Sequence, residues 1–286
     1  MIFVVDSGST KTDWIALGSA GEVLFSTQTL GLNPQVLSSA ILNERIINNF
    51  DLYQNKDKVS HIYFYGAGCG VSSPVQRIQK VFSEIFTKSK FSILEDTYAA
   101  VYATVEPQQA AVVCILGTGS NSCYYDGQTL REEVPAIAYV LGDEGSGSFY
   151  GKKLLRDYLY NQLPESIKVD FEDQFGSAKS EIFESVYMKP HANVYLASFM
   201  KFLNRHYHHE YVIEMIQNGM NEFIKIHVCC YPEYKSVKTH FIGSISKIFE
   251  RELIGAAANH GVILGDIIQK PVDNLVNYHL NYIEAT

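Results

Sequence analysis

The chain has 286 residues, of which 47% are hydrophobic, and a formal net charge of −8. This length is enough for one large domain or two ordinary ones, each with a real core. The sequence has no run of Lys or Arg that would follow a phosphodiester backbone. Together with the negative charge, this argues against nucleic acid as a partner.

The first residues run straight into a strand pattern instead of a signal peptide, and no apolar run approaches the length of a bilayer. We therefore expect a cytoplasmic protein without a membrane partner. The odd number of cysteines, without any C-x-x-C, indicates reduced thiols. The pair Cys229/Cys230 and the cluster of His206, His208 and His209 lack the spacing of a zinc site, and their helical period favours helix surface and core.

The opening stretch "VVDSGSTKTDW" has a run of β-forming residues that ends at Asp6, followed by a small polar turn. A P-loop needs two glycines before Lys and opens a helix. Here only Gly8 precedes Lys11, and the residues that follow alternate like strands. The stretch is therefore predicted to be a β-hairpin, whose turn can offer amides and hydroxyls to a phosphate. An ordinary hairpin turn is the alternative, since turns favour these residue types.

A second stretch, "AVVCILGTGSNSCYYDGQTLREEV", repeats this pattern about 110 residues later, with Gly117 and Gly119 in its first turn. Between the repeats the pattern predicts a helix near 34–50, a strand at 61–68, a helix over 73–89, a strand at 91–94 and a helix from 97. The chain is then mainly helical from 145 to about 231. Strands at 239–243 and 261–268 flank a helix over 245–261, and a last helix begins near Pro271.

These patterns predict two α/β domains, each begun by a β-meander that carries a glycine turn, with the boundary near Pro107. The N-terminal domain would comprise residues 1–107, with the C-terminal helix of about 271–286 packed back onto it. The C-terminal domain would comprise residues 108–270 and contain a helical insertion.

Four motifs in order, "VVDSGSTKTDW", "LEDTYAA", "ILGTGSNS" and "GDEGSG", resemble the N-acetylglucosamine kinase branch of the sugar-kinase/actin/heat-shock ATPase superfamily, grouped with the BadF/BadG/BcrA/BcrD ATPases. The resemblance covers nearly the whole chain. It implies an α/β fold with two ribonuclease-H-like domains of the actin/hexokinase type, and a nucleotide and sugar cleft between them. The glycine-rich adenosine motif of the family reads "HFIGSISKIF" here, with Gly243 retained and Ser244 in place of the second glycine.

The same resemblance implies ATP and Mg²⁺ as cofactors. Asp6 would hold the Mg²⁺ through water, as suits a hard cation that keeps its waters. Gly243 and Ser244 would bind adenosine. The expected phosphate-binding residues are Gly8, Ser9, Thr10, Lys11, Gly117, Thr118 and Gly119.

Asp96 precedes a predicted helix, so its simplest role is an N-cap that accepts backbone N–H groups. By resemblance it is also the catalytic base, which takes the proton of the sugar 6-hydroxyl as that oxygen attacks the γ-phosphate. Its neighbour Glu95 has no family counterpart and is read as structural. The expected sugar-binding residues are Asn33, Asp96, Asn121 and Asp143.

The predicted function is therefore ATP-dependent phosphorylation of an amino sugar, first of all N-acetylglucosamine to its 6-phosphate. Two alternatives stay open. One is an ATPase activator of the 2-hydroxyacyl-CoA dehydratase type, although the cysteines lack the placement expected for its iron–sulfur cluster. The other is a sensor that binds sugar or nucleotide without turnover. The resemblance is also compatible with a homodimer formed through the helical second domain.

Overall fold

The computed structural model describes residues 1–177 and 179–283. Its strands are β1 (Ile2–Ser7), β2 (Lys11–Leu17), β3 (Val23–Leu30), β4 (His61–Gly66), β5 (Lys90–Glu95), β6 (Ala111–Leu116), β7 (Ser120–Tyr125), β8 (Leu130–Arg131), β9 (Lys238–Ile242) and β10 (Leu264–Ile268). Its α-helices are α1 (Ser39–Ile47), α2 (Phe50–Asn55), α3 (Ser72–Ile85), α4 (Asp96–Thr104), α5 (Ala138–Leu141), α6 (Gly147–Leu159), α7 (Glu165–Phe175), α8 (Lys179–Phe183), α9 (Ala192–Ser198), α10 (Met200–Arg205), α11 (Glu210–Phe223), α12 (Ser244–Ile248), α13 (Glu250–Asn259) and α14 (Val272–Tyr278). Short π- or 3₁₀-helical segments cover Glu184–Met188, Ile224–Val228, Pro232–Lys235 and His279–Ile283.

These elements form two compact units. One contains Met1–Pro107 and the segment that begins at Lys270, and the other contains Gln108–Gln269. In the described residues, none of the helices combines the length and the apolar character needed to cross a bilayer.

Both units are built on a five-stranded mixed sheet with the same topology. In the first unit the order is β3-β2-β1-β4-β5, and in the second it is β10-β9-β6-β7-β8. Each begins with an antiparallel three-stranded meander, and two further strands then join in parallel through helical crossovers. The predicted repeat and the predicted α/β fold class are therefore confirmed.

Both faces of the first sheet are covered by apolar packing. On one face, Phe3 and Trp14 lie under α3, with the Trp14 ring edge-on to Phe3 at a centroid distance of 5.8 Å. On the other face, Val4 and Leu17 form a cluster with Leu275 of α14. This double cover leaves the carboxyl edge of the parallel strands as the place where polar loops can gather.

Two predicted helices differ from the observed ones. The helix expected over 245–261 divides at Phe249, whose φ of −110° and ψ of 37° leave the helical region. Phe249 is fully buried, so the break occurs where a core aromatic is inserted. The helix expected near 34–50 also divides. The side chain of Asn49 accepts a hydrogen bond from the Leu52 amide and so caps a new helix. The region from 145 to about 231 is mainly helical, as predicted, and α11 continues there into a π-helical segment, Ile224–Val228.

Candidate active site

The first glycine turn, residues 8–11, joins β1 to β2 as a tight hairpin. The Gly8 amide donates to the Lys11 carbonyl at 3.0 Å, and the hydroxyls of Ser7 and Thr12 pair at 2.8 Å beneath the turn. Ser9 and Thr10 are exposed at its tip. No helix follows, so the hairpin predicted in place of a P-loop is confirmed.

Two carboxylates face each other across this hairpin. Asp6 of β1 lies directly opposite Asp13 of β2, and Asp13 forms an ion pair with Lys11 at 2.8 Å. Burial raises the pKa of Asp6 to about 7, with a further increase from the negative charge of Asp13, and the cations Lys11 and Lys270 oppose the shift. The sequence interpretation did not include Asp13. Its position opposite Asp6 could have been predicted from the sequence, because Asp6 and Asp13 are equally many residues from the centre of the turn.

Asp96 lies at the end of β5, on the same edge of the sheet as Asp6. Burial raises its pKa to about 7, and the nearby charges of Glu95 and Asp6 raise it further. Hydrogen bonds from the backbone amides of Asp96 and Thr97 favour the ionised form and limit the shift. Glu95 takes the N-cap position of α4, so Asp96 is the first helical residue instead of the cap. A carboxyl group that titrates near neutrality is suited to proton transfer.

Asn33 and the loop after β4 lie against each other in the first unit. The Asn33 Oδ1 accepts the Gln35 amide at 2.9 Å, and a Cβ on Gly68 would come within 2.2 Å of the same oxygen. The next residue, Cys69, is buried near Glu95 and Asp96, whose charges add to burial and raise the pKa of its thiol to about 12. The first unit therefore brings Asn33, this small-residue loop and Asp96 into one neighbourhood.

The second glycine turn, residues 117–119, is fastened to the start of α6. The amides of Gly147 and Ser148 donate to the carbonyls of Gly117 and Thr118 at 2.8 and 3.0 Å. The Ser120 hydroxyl, directly after the turn, is buried and finds no hydrogen-bond partner among the described residues. A buried hydroxyl without a partner costs free energy unless a water molecule or a ligand satisfies it.

Asp143 connects this turn to α6 from a strained backbone position, with φ at +62°. Its carboxylate accepts the Ser120 amide and the Ser148 hydroxyl, each at 3.3 Å, and burial raises its pKa. Asn121 makes other contacts: its side-chain oxygen accepts the Ser122 amide at 2.8 Å, and its Nδ2 donates to Glu132 at 3.3 Å.

Glu144, the neighbour of Asp143, has its carboxylate 2.9 Å from Nε2 of His227, within hydrogen-bond distance. Both side chains are largely buried, and His227 lies in the π-helical segment after α11. This contact connects the 142–146 loop to a helical segment 83 residues away in the sequence. The sequence interpretation assigned no contact to Glu144 and treated His227 only as part of a helical stretch.

Gly243 and Ser244, the expected adenosine motif, lie beside the second glycine turn. A Cβ on Gly243 would come within 2.2 Å of the Leu116 carbonyl oxygen, and its φ is +128°. Both facts require glycine at this position. Ser244, which replaces the second glycine of the family motif, begins α12, and its backbone is helical without strain.

Replacement of Gly243 by alanine is expected to destabilise the protein by about 2–4 kcal/mol and to displace the second glycine turn. The matched control is Gly255→Ala, because Gly255 lies in α13 with open space around its Cα. That change should be neutral or stabilise the protein by up to about 1 kcal/mol. Thermal denaturation of both variants checks the prediction, and equal melting temperatures would contradict it.

Among the described residues, no group of three or more His, Cys, Asp and Glu side chains forms a metal set. The histidine cluster has structural contacts instead: His209 accepts the Tyr211 amide and caps α11, and His206 lies 3.7 Å from Asp170. None of the five cysteines forms a disulfide, and Cys69, Cys114 and Cys123 are buried. A site built on Asp6 with few protein ligands still suits Mg²⁺, which keeps several waters.

No protein-family model matches the chain, and no curated protein matches it. Solved structures do match. The putative N-acetylglucosamine kinase from Porphyromonas gingivalis is 32% identical, with 99% of this chain and 100% of that chain covered and a TM-score of 0.90. The putative N-acetylglucosamine kinase from Chromobacterium violaceum is 14% identical, with 97% and 99% covered and a TM-score of 0.73. A ROK family glucokinase from Streptomyces griseus, in complex with glucose and AMPPNP, is 13% identical, with 96% and 97% covered and a TM-score of 0.53.

Two units with the same mixed sheet, each with a glycine turn after its first strand, define the two-domain actin/hexokinase-like fold. The identity to the Porphyromonas gingivalis protein, over almost the full length of both chains, then shows the family. The chain belongs to the sugar kinases of the actin-like ATPase superfamily.

Proposed function

We propose that this protein transfers the γ-phosphoryl group of ATP to the 6-hydroxyl of an amino sugar, with N-acetylglucosamine as the first candidate. The observation that carries the proposal is the position of Asp96: its carboxyl group has a pKa near 7 and lies at the same edge of the sheet as Asp6. The name of the Porphyromonas gingivalis relative supports the choice of sugar. We also propose that the chain belongs to the N-acetylglucosamine kinase branch grouped with the BadF/BadG ATPases.

Asp96 acts in this proposal as the general base. Its ionised carboxylate accepts the proton of the sugar 6-hydroxyl as that oxygen becomes bonded to phosphorus. The helical amides of Asp96 and Thr97 hold the carboxylate in one orientation. Asn33 would bind the sugar through its amide, which can both donate and accept, as hydroxyl and acetamido groups require. Asp143 and Asn121 are the proposed sugar contacts of the second unit.

The first glycine turn binds phosphate in this proposal through Gly8, Ser9, Thr10 and Lys11. Mg²⁺, when bound to the nucleotide and near Asp6, neutralises charge on the phosphate oxygens. Asp6 fits that role because its burial makes a neighbouring cation favourable. In the second unit, the proposed phosphate contacts are Gly117, Thr118 and Gly119, and the proposed adenosine contacts are Gly243 and Ser244.

The experiment that tests this function is ADP release with ATP and Mg²⁺, measured without sugar and then with N-acetylglucosamine, glucosamine, N-acetylmannosamine or glucose. We expect a low rate without sugar and strong stimulation by one amino sugar. Stimulation by glucose alone would overturn the proposed substrate class. ATP binding without stimulation by any of the sugars would favour the activator or the sensor.

The pH dependence of kcat/KM offers a separate test of Asp96. A base works only when deprotonated, so kcat/KM should rise with pH through about 7, where Asp96 loses its proton, and then level off. Glu95→Gln removes a negative charge that raises the pKa of Asp96. The rising limb should therefore move to lower pH in this variant. A limb at the same pH in both proteins would show that Asp96 does not control it.

A further inference from the structure

The side chain of Asp13 has a partner on each of its oxygens, and the function proposed above gives it no role. Its Oδ2 lies 2.8 Å from the Lys11 ammonium, and its Oδ1 accepts the Gln28 amide at 2.6 Å. Asp13 itself is buried, whereas Gln28 is exposed on β3. A buried carboxylate fixed from two sides is a rigid anchor for a flexible lysine.

The strand register also places a second carboxylate, that of Asp6, near Lys11. Asp6 and Asp13 are directly opposed across the hairpin, so one lysine at the turn has two carboxylates within reach. The ion pair with Asp13 keeps the Lys11 ammonium on the β2 side. Without Asp13, the strongest remaining attraction on that ammonium would be the carboxylate of Asp6, which is the proposed cation ligand.

We propose that Asp13 is a positioning residue, which holds Lys11 ready for the nucleotide phosphates and keeps it away from Asp6. This inference rests on the proposed function only in taking ATP as the ligand. A lysine ammonium has three donors, so one bond to Asp13 leaves two for phosphate oxygens. Because the lysine is already ordered, nucleotide binding restricts it less.

The test is the affinity for adenosine, ADP and ATP, measured by isothermal titration calorimetry. Asp13→Asn keeps the shape of the side chain and removes its charge. We expect the Kd values of ADP and ATP to rise about three- to fivefold, the upper part of the range of a partly exposed ion pair, and that of adenosine to change less than about twofold. The control Glu184→Gln breaks an exposed ion pair in the second unit, with Lys189 at 3.2 Å, and should leave all three unchanged.

A double-mutant cycle with Lys11→Met separates positioning from a structural role. If Asp13 acts through Lys11, adding Asp13→Asn to Lys11→Met should change the Kd of ATP by less than about twofold. Gln28→Leu, at an exposed position, should weaken ATP binding in the same direction but less than Asp13→Asn does. Gln28→Leu keeps the test valid if Asp13→Asn folds poorly.

Three results would overturn the inference: a full Asp13→Asn effect in the Lys11→Met background, an equal loss of adenosine affinity, or tighter ATP binding. Failure of the proposed function would look different. Wild-type protein that binds ATP no better than adenosine would refute both the phosphate site and this inference. Wild-type protein that prefers ATP but phosphorylates no sugar would refute the kinase alone, and the cycle would still decide the role of Asp13.

Discussion

Asp96→Asn is expected to lower kcat for sugar phosphorylation by about 10²- to 10⁴-fold, the usual contribution of a general base. The amide keeps the shape of the carboxyl group and its contacts with the α4 amides, but it cannot take the proton of the attacking hydroxyl. ATP affinity should remain within about threefold, since Asp96 is not assigned to nucleotide binding. Steady-state kinetics and calorimetric ATP binding together check both parts.

The matched control for this substitution is Asp57→Asn, because Asp57 is an exposed aspartate in the same unit. It should leave kcat and KM unchanged. A decrease in kcat of less than tenfold in Asp96→Asn would contradict the assignment of Asp96 as base. The retained rate would then have to come from positioning and charge neutralisation, which do not require that carboxylate.

Asp6→Asn is the second change with a large expected effect. It removes the carboxylate proposed to hold Mg²⁺ and should lower kcat/KM by at least about 100-fold. The response to metal is the distinguishing measurement, because the variant should need much more Mg²⁺ for half-maximal rate than the wild type does. An unchanged Mg²⁺ dependence would show that Asp6 is not the cation ligand.

Stability provides a further check on Asp6→Asn. The pKa of Asp6 is about 7 in the folded protein and 3.8 in an unfolded chain, so between these values the folded state holds more protons. Stability from this group is therefore lost as the pH rises from about 4 to 7. Asp6→Asn removes that loss. The difference in melting temperature between the variant and the wild type should therefore be larger, in favour of the variant, at pH 8 than at pH 5. An equal difference at both pH values would contradict the raised pKa of Asp6 in the folded protein.

The parts of the site that could be predicted from the sequence are those fixed by local pattern. The turn after Asp6 and the turn at Gly117 each follow a strand and contain glycine, so their hairpin geometry is a local property. Asp96 follows a strand and precedes a helix, which places it at the carboxyl edge of a sheet. Trp14 is a large aromatic residue within a strand, which favours a core position, and its side chain is fully buried.

The parts that could not be predicted depend on contacts between distant segments. The hydrogen bond between Glu144 and His227 joins a loop to a π-helical segment, and neither local sequence contains a signal for the other. The contact of Gly243 with the Leu116 carbonyl arises because β9 pairs with β6, far away in the chain. The break at Phe249 likewise reflects a core position that overrides a continuous helical pattern.

The most direct test of the kinase assignment is ³¹P nuclear magnetic resonance of a reaction with ATP, Mg²⁺ and N-acetylglucosamine. We expect the γ-phosphate signal of ATP to be replaced by a phosphomonoester signal coupled to the C6 protons of the sugar, with little inorganic phosphate. Inorganic phosphate as the only product, at the same rate with and without sugar, would contradict it.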